Sequence, residues 1–412
     1  MKYRIPLAYD QFDETEKNVV IDVLNSGNYT QGECVSRFED EFASYLGVDH
    51  AIMVNSGSSA NLIAMTATYY AARWDSSLTY GPFRIGDEVV IPALCWPTTL
   101  TPLANLGLKP VFCDIDLDSL NLSVATIEKV RTDRTRAVIA VPILGNPTGL
   151  DDLRAYCEAE RLVLLEDACQ SLGAQSLARQ KVGSFGLASS FSFYFSHHIS
   201  TIEGGCIVTN SLLVAQLCQA LRSHGWTRDF DNSQFVPTLP KFDQVDRRFC
   251  FFLPGYNVRA TEIAAAIGSV QLRKLPRFLA QRQHIAQARL STLEPFQDRV
   301  VVPGANIGSE HSWMAFPLLL TTGEEKDRVR ATLEDFSIET RPVVAGNLLR
   351  HPIAKLLCID EGEASLPNCD AVFRRGLMLG LNPSSSDQDE AYLSEAFHAS
   401  FADRQNLELT FS

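Results

Sequence analysis

Between residues 86 and 210 short apolar runs alternate with segments of helical periodicity, and few folds accept that order. Strands are expected at 88–92, 110–114, 136–141, 161–166, 189–195 and 205–209. Helices are expected near 97–106, 123–131, 149–160 and 211–223. Parallel strands need helical crossovers, so the alternation predicts an α/β domain with a mainly parallel sheet. Ligands of such sheets gather at the carboxyl ends of the strands. Ahead of this region, residues 13–26 read as a helix, with Asp13 as N-cap, Glu16 three further on and Gly27 as stop. A second helix covers 34–46 and ends at Gly47. A strand at 51–54 then runs into an Ala- and Leu-rich helix that reaches about residue 72. From about 272 the pattern changes. An amphipathic helix over 275–294 follows an Ala-rich one, then a strand at 313–320, a helix at 324–336, a strand at 338–341 and two C-terminal helices. At 412 residues the chain exceeds a single simple core. The expectation is a large domain over 1–270, carrying the N-terminal helices, and a smaller α+β domain over 271–412.

Charge limits the partners. The net charge is −13 and no basic run offsets it, which argues against nucleic acid or an anionic membrane surface. An anionic small molecule would need a local pocket rich in N–H groups or cations. The ten cysteines contain no CxxC pair and lie mostly in apolar stretches, as buried free thiols of a reducing cytosol do. The first residues lack the apolar core of a signal peptide. No run approaches the roughly 20 apolar residues of a membrane span. The expected location is the cytoplasm.

Several strand ends carry polar residues whose type suggests chemistry. Asn55-Ser-Gly-Ser-Ser-Ala60 joins a strand to a helix. Gly57 permits close backbone approach, and Ser58 offers a hydroxyl and an N–H at a helix start, which suits a phosphate or serves only as turn and cap. Trp96 follows the strand at 88–92 as a core residue or a flat stacking platform. Asp167 ends a strand after four apolar residues and one glutamate, where an unpaired carboxylate is costly. One partner for it is a protonated ring nitrogen such as that of pyridoxal phosphate; the alternative is an N-cap or surface role. Gln170, three residues on, could reach the same ligand. Lys181 sits in a polar loop and reads as a solvated surface lysine. His224 and Arg228 flank Gly225-Trp226 as helix-end charges or as the lining of an anionic site. Glu339 and Arg341 stand beside a proline-terminated strand, where a salt-bridged strand end is the simple account.

The stretch Phe191-Ser-Phe-Tyr-Phe-Ser-His-His-Ile-Ser-Thr-Ile-Glu-Gly-Gly205 ties these together. It resembles the cofactor-lysine region of sugar aminotransferases of pyridoxal-phosphate fold type I, with His197 in the place of the lysine. The likeness extends over nearly the whole chain: Ser-Gly-Ser after the first strand, Trp96 after Pro-Ala-x-x, Glu166-Asp-Ala-Cys-Gln, Glu203-Gly-Gly and Gly255-Tyr-Asn-x-Arg-x-Thr-Glu262. Ser196-His-His-Ile-Ser-Thr, His224-Gly-Trp-Thr-Arg-Asp229 and Glu339-Thr-Arg-Pro-Val-Val-Ala-Gly-Asn347 narrow it to the nucleotide-sugar 3-dehydratase branch.

The resemblance implies an aspartate-aminotransferase-like fold and an enzyme that uses pyridoxamine phosphate and pyridoxal phosphate. It implies that Gly57 and Ser58 hold the cofactor phosphate, Trp96 stacks on the ring, Asp167 pairs with the ring nitrogen and Ser192 binds near the phosphate or ring oxygen. Asn257 would reach the phosphate of the neighbouring subunit, giving a homodimer with shared sites. His197 would be the catalytic base, Glu339 would assist the amino donor or sugar, and His224 and Arg228 would line the substrate pocket. The implied reaction removes the C3 hydroxyl of a nucleotide-linked 4-keto-6-deoxyhexose, with GDP-4-keto-6-deoxymannose favoured over a CDP-linked sugar. Glutamate would regenerate the amine form, in deoxysugar biosynthesis such as O-antigen assembly. A related class carries a [2Fe–2S] cluster, but only Cys250 occurs between Trp226 and Gly255, so neither a cluster nor a metal is expected. An ordinary aminotransferase, or a sensor that kept the fold without catalysis, is the alternative.

Overall fold

The computed structural model describes residues 3–74, 78, 80–226, 246, 249–305, 308–357 and 365–402. Its N-terminal helices are α1 (Glu14–Ser26) and α2 (Glu33–Leu46). The Asp13–Glu16 capping box forms as expected, and Gly27 closes α1 in the left-handed region at φ 75°. The large sheet is built from β1 (His50–Val54), β2 (Glu88–Pro92), β3 (Lys109–Cys113), β4 (Thr135–Ala140), β5 (Val163–Asp167), β6 (Ala188–Ser192) and β7 (Gly205–Thr209). Its order is β1-β7-β6-β5-β4-β2-β3, with only β7 antiparallel to its neighbours. The crossovers include α3 (Gly57–Trp74), α4 (Pro97–Asn105), a single turn α5 (Val124–Ile127) and α6 (Leu150–Ala159). The nine-residue helix expected at 123–131 is thus one capped turn. β7 leads into α7 (Leu212–Arg222).

Two apolar layers cover the sheet. One packs α3, α4 and α7 on Ile52, Val89, Ile91, Ile139 and Ile207. The other sets α2 on Met53, Val90, Val138, Leu164 and Val208. Residues that face opposite ways along one strand divide between the layers, as period-two geometry requires. In the second layer Phe38 and Phe42 of α2 meet Phe191 and Phe193 edge-on, with centroids 5.2–5.4 Å apart. Phe191 and Phe193 are fully buried, so Ser192 and Tyr194 between and after them turn to the opposite side. This aromatic lock sets the direction of the chain as it leaves β6.

The expected helix over 275–294 and the Ala-rich helix before it are one element, α8 (Glu262–Leu293), continuous through Pro276. Its first half feeds Ala265 and Leu275 into the large core. Its second half feeds Ile285, Ala286 and Leu293 into a smaller core with Ile5, Phe316, Leu333 and Phe397. That core lies on a second, antiparallel sheet of β8 (Val300–Val301), β9 (Ala315–Leu320), β10 (Thr340–Arg341) and β11 (Gly376–Gly380), ordered β10-β11-β9-β8. Helices α9 (Gly323–Asp335), α10 (Pro352–Leu356), α11 (Pro367–Arg375) and α12 (Asp387–Phe401) complete it. β11 was not expected: Gly-Leu-Met-Leu-Gly is a short apolar run whose periodicity does not separate strand from buried helix. Among the described residues no helix is long and apolar enough to cross a membrane.

Candidate active site

A cavity of about 400 Å³ opens at the carboxyl ends of β1, β2, β4, β5 and β6. Its lining contains seven of the residues singled out in the sequence: Gly57, Ser58, Trp96, Asp167, Gln170, Ser192 and His197. They lie up to 140 positions apart in the chain, and the parallel sheet brings them to one edge, where doubly wound folds place ligands.

One wall is the N-terminus of α3. A Cβ on Gly57 would stand 2.5 Å from the Ser192 Cβ and 3.0 Å from the Cys169 Sγ. Gly205, at the start of β7, passes so close to this turn that a Cβ there would be 2.3 Å from the Ser56 carbonyl oxygen. The two glycines let a helix start, a β6 end and a β7 start share one corner. Gly57 and Ser58, the first residues of α3, line the cavity, and a helix start so placed suits a phosphate.

The cavity also holds Asp167, 4% exposed. Its Oδ2 accepts from Asn61 Nδ2 at 2.8 Å and Thr99 Oγ1 at 2.6 Å. Among the described residues its Oδ1 receives only the Cys169 N–H, at 3.4 Å. Ser190 donates to the Asn61 amide oxygen and so orients it. A buried carboxylate with one oxygen fully engaged and the other nearly free suits a cationic N–H donor. Asn61 and Thr99 escaped notice in the sequence; the available signal was a polar residue on the buried face of each helix. The neighbouring Glu166 points to the other face and accepts from the Gly183, Phe185 and Gly186 amides and from Ser189. It is structural, and burial raises its pKa.

Trp96 stands at the mouth, 53% exposed, at the N-cap of α4. Such exposure fits a platform and not a core side chain. Gln170 accepts the Leu144 N–H at 3.1 Å. Leu144 and Val344, both lining the cavity, hold left-handed φ values of 52° and 50° without being glycine. Such backbone costs of order 1–3 kcal/mol and concentrates at ligand sites. Ser56, Thr98, Tyr194, Ser196, Glu203, Met314 and Met378 also line the space and were not singled out as site residues.

His197 lies in the turn after β6, half-buried, with Nδ1 buried and unpartnered. Its N–H donates to the Tyr194 carbonyl at 2.9 Å, and the two rings meet edge-on at 5.9 Å. Burial, with the Arg282 guanidinium as a lesser cause, pushes its pKa down to about 4. The imidazole is therefore neutral near pH 7, the form a general base requires. His198 faces away from the cavity and is fully buried. Among the described residues no lysine lines the cavity. Lys181 is elsewhere and is not simply solvated: it is half-buried, donates to the Tyr45 carbonyl and lies 4.1 Å from that ring centroid. Burial lowers its pKa.

The remaining expected residues stand outside this lining. Glu339 accepts the Leu7 N–H at 2.9 Å and pairs with Arg341 at 2.6 Å. Arg341 lines an adjoining cleft of about 1200 Å³, which shares Trp96 and Val344 with the cavity. His224 and Asn257 are exposed on two segments joined at Ser223–Asn257. Arg228 lies outside the described residues. Arg222 of the same motif is buried in an ion pair with Glu39 and caps the Met53 carbonyl at 2.8 Å. Glu262 binds the N–H groups of Gly32, Cys34 and Val35, which anchors α2.

The residues present fit pyridoxal phosphate and its amine form: a glycine cradle at a helix start, a flat indole, a buried carboxylate with a free oxygen, and an orphaned imidazole nitrogen. Comparison with known proteins agrees. GDP-4-keto-6-deoxy-D-mannose 3-dehydratase of Escherichia coli O55:H7 is 34% identical over 392 residues, covering 95% of this chain and 98% of that one. The protein of the same name from Yersinia pseudotuberculosis is 37% identical over 350 residues, covering 84% and 86%. A solved structure of the E. coli enzyme with bound hydrated pyridoxal phosphate superposes with a TM-score of 0.87 at 34% identity, covering 96% of this chain and 99% of that one. The DegT/DnrJ/EryC1/StrS aminotransferase family model matches residues 10–398, and the chain belongs to that family.

Proposed function

We propose that the protein removes the C3 hydroxyl of a nucleotide-linked 4-keto-6-deoxyhexose, GDP-4-keto-6-deoxymannose in the first instance, with glutamate as amino donor. The observation that carries this reading is His197, a neutral imidazole in a cavity that no lysine among the described residues lines. When bound, pyridoxamine phosphate supplies the amine that condenses with the C4 ketone and the ring that accepts electrons. Asp167 holds the ring nitrogen through its free oxygen, and Asn61 and Thr99 hold Asp167. Gly57, Ser58 and Ser192 hold the phosphate end, and Trp96 covers the ring. His197 would be the residue that carries the proton, accepting one through its unpartnered nitrogen and giving it to the departing C3 hydroxyl, which leaves as water. Imidazole forms no stable imine, so the cofactor is held by non-covalent contacts alone, and release of the product with ammonia is not opposed by a competing lysine.

Glu339 orients Arg341 toward the adjoining cleft, where the amino donor or sugar is bound. His224 lines the substrate side, and Asn257 reaches the phosphate in a second copy of the chain. The working form is then a homodimer with shared sites, located in the cytoplasm. A protein from Salmonella typhimurium named for lipopolysaccharide biosynthesis is 31% identical over 399 residues, which supports a place in the assembly of surface deoxysugars. Incubation with pyridoxamine phosphate, glutamate and the GDP-linked ketosugar should release ammonia and 2-oxoglutarate with a 3-deoxy product. Absence of that product from both the GDP- and CDP-linked sugars would refute the reading. Sedimentation of the purified protein as a monomer under turnover conditions would refute the shared site.

A further inference from the structure

Behind His197 lies a buried polar assembly that the proposed reaction does not use. His198 is 1% exposed, and its Nε2 is 3.1 Å from the Ser312 carbonyl oxygen. A carbonyl only accepts, so Nε2 carries the proton and donates; Nδ1 is then bare, and it is buried without a partner. Ser312–Met314 forms a strap between the domains. Its amides donate to Gly145, from Ser312 at 2.9 Å, and to Leu144, from Met314 at 2.8 Å. Gly145, at φ 96°, permits this approach, since a Cβ there would be 2.7 Å from the Trp313 nitrogen. Leu144 and Met314 are themselves walls of the cavity.

The strap is clamped from the far side by Arg282 of α8, also 1% exposed. Its Nη1 donates to the Trp313 and Met314 carbonyls, both at 2.9 Å, and its Nη2 to the Tyr9 hydroxyl at 2.6 Å. These partners are two carbonyls and a phenol. Gln11, two residues beyond Tyr9, donates to the His197 carbonyl at 3.0 Å. The turn carrying His197 is thus held at successive residues: Gln11 grips the His197 carbonyl and His198 grips the strap.

We propose that His198 is a positioning residue whose Nε2–H bond to the Ser312 carbonyl fixes how far His197 reaches into the cavity. The inference rests on the reading of His197 as the acid–base group. Burial, Arg282 and His197 all depress the protonation of His198, which keeps it the neutral donor that the carbonyl requires. A side chain with the donor at the Nε2 position restores the brace. His198→Gln extends an amide N–H to about that position; His198→Asn places it near Nδ1, short of Ser312. Misplacement of a reacting group by about 1 Å costs on the order of 10²-fold in rate.

In the full chain with pyridoxamine phosphate, glutamate and the GDP-linked ketosugar, His198→Gln should keep kcat within about 3-fold. His198→Asn should lose about 10–100-fold in kcat with KM nearly unchanged. Equal kcat in the two variants overturns the proposal. His198→Phe keeps a ring without the donor and serves if the asparagine variant does not fold; kcat at the wild-type level in it also overturns the proposal. A second readout needs no turnover. In a His197→Lys background, borohydride trapping of pyridoxal phosphate is followed by mass spectrometry. Adding His198→Gln should leave the trapping rate unchanged, and adding His198→Asn should slow it about 10-fold or more. Equal trapping refutes the brace. If the wild-type protein makes no 3-deoxy product while trapping keeps this order, the dehydratase reading fails and the brace stands.

Discussion

Gly57→Ala is the most informative small change, because it adds one carbon at a tight contact of the corner proposed to hold the cofactor phosphate. The added Cβ would sit 2.5 Å from the Ser192 Cβ, 2.9 Å from the Ser192 Oγ and 3.0 Å from the Cys169 Sγ. Carbon atoms settle at about 3.5–4.0 Å, so the α3 start and the β6 end must part by about 1 Å. Two effects oppose each other in stability. Overpacking costs about 1–3 kcal/mol, while alanine favours the first turn of a helix over glycine by up to about 1 kcal/mol. The net change is a loss of about 0–3 kcal/mol, within what a folded protein tolerates. Cofactor binding has no such compensation. Displacing one N–H by about 1 Å from a phosphate oxygen removes a charge-assisted hydrogen bond of about 1.5–3 kcal/mol, which corresponds to a 10- to 150-fold rise in Kd. Spectrophotometric titration of the apoprotein with pyridoxal phosphate, beside thermal melts with and without it, measures both. A Kd within about 2-fold of wild type in a folded Gly57→Ala protein would refute the assignment of this corner to the phosphate.

Other perturbations test other parts of the site. His197→Asn should lower turnover by about 10²–10⁴-fold while cofactor affinity stays near wild type, and His197→Lys should gain a borohydride-trappable link to pyridoxal phosphate. Asp167→Asn should lose about 10²-fold or more in turnover and shift the bound cofactor's absorbance, because a neutral amide cannot hold the ring nitrogen protonated; an unchanged spectrum would remove Asp167 from that role. Acid should destabilise the fold through its buried histidines. Burial holds His197 at about 4, His311 at about 3 and His198 well below its usual value, against about 6.5 unfolded. Between those limits the unfolded chain binds more protons, so stability is full above about pH 6.5 and falls as pH drops toward 4, each histidine adding up to about 1.4 kcal/mol per pH unit. A Tm that is flat from pH 7 to 5 would contradict the burial of this cluster.

Much of this site was legible in the chain because its geometry follows from short local rules. The alternation of Phe191 and Phe193 with Ser192 and Tyr194 states which side chains face the core and which face the cavity, and the aromatic cluster with α2 obeys it. Gly57 and Gly205 mark close approaches that only a residue without Cβ allows. Asp167 announced itself as a carboxylate after an apolar run. What the sequence hid were partners that arrive through tertiary folding. Asn61 and Thr99 lie on separate helices, and no local pattern says that both donate to one oxygen of Asp167. The role of His198 was not legible until the strap at Ser312 was in view. β11 and the continuity of α8 through Pro276 depend on packing that overrides local punctuation. Glu339 and Arg341 form the salt-bridged strand end that their types suggested, and the pair also edges the adjoining cleft.

The most direct test of the reaction assigned to His197 is product analysis by mass spectrometry with GDP-4-keto-6-deoxymannose, pyridoxamine phosphate and glutamate. Relatives named GDP-perosamine synthase are 28–30% identical to this chain, so amino transfer and dehydration are the two outcomes to separate. A 3-deoxy sugar accompanied by ammonia is the expected result. A 4-amino sugar that retains its C3 oxygen, formed without ammonia, would contradict the account.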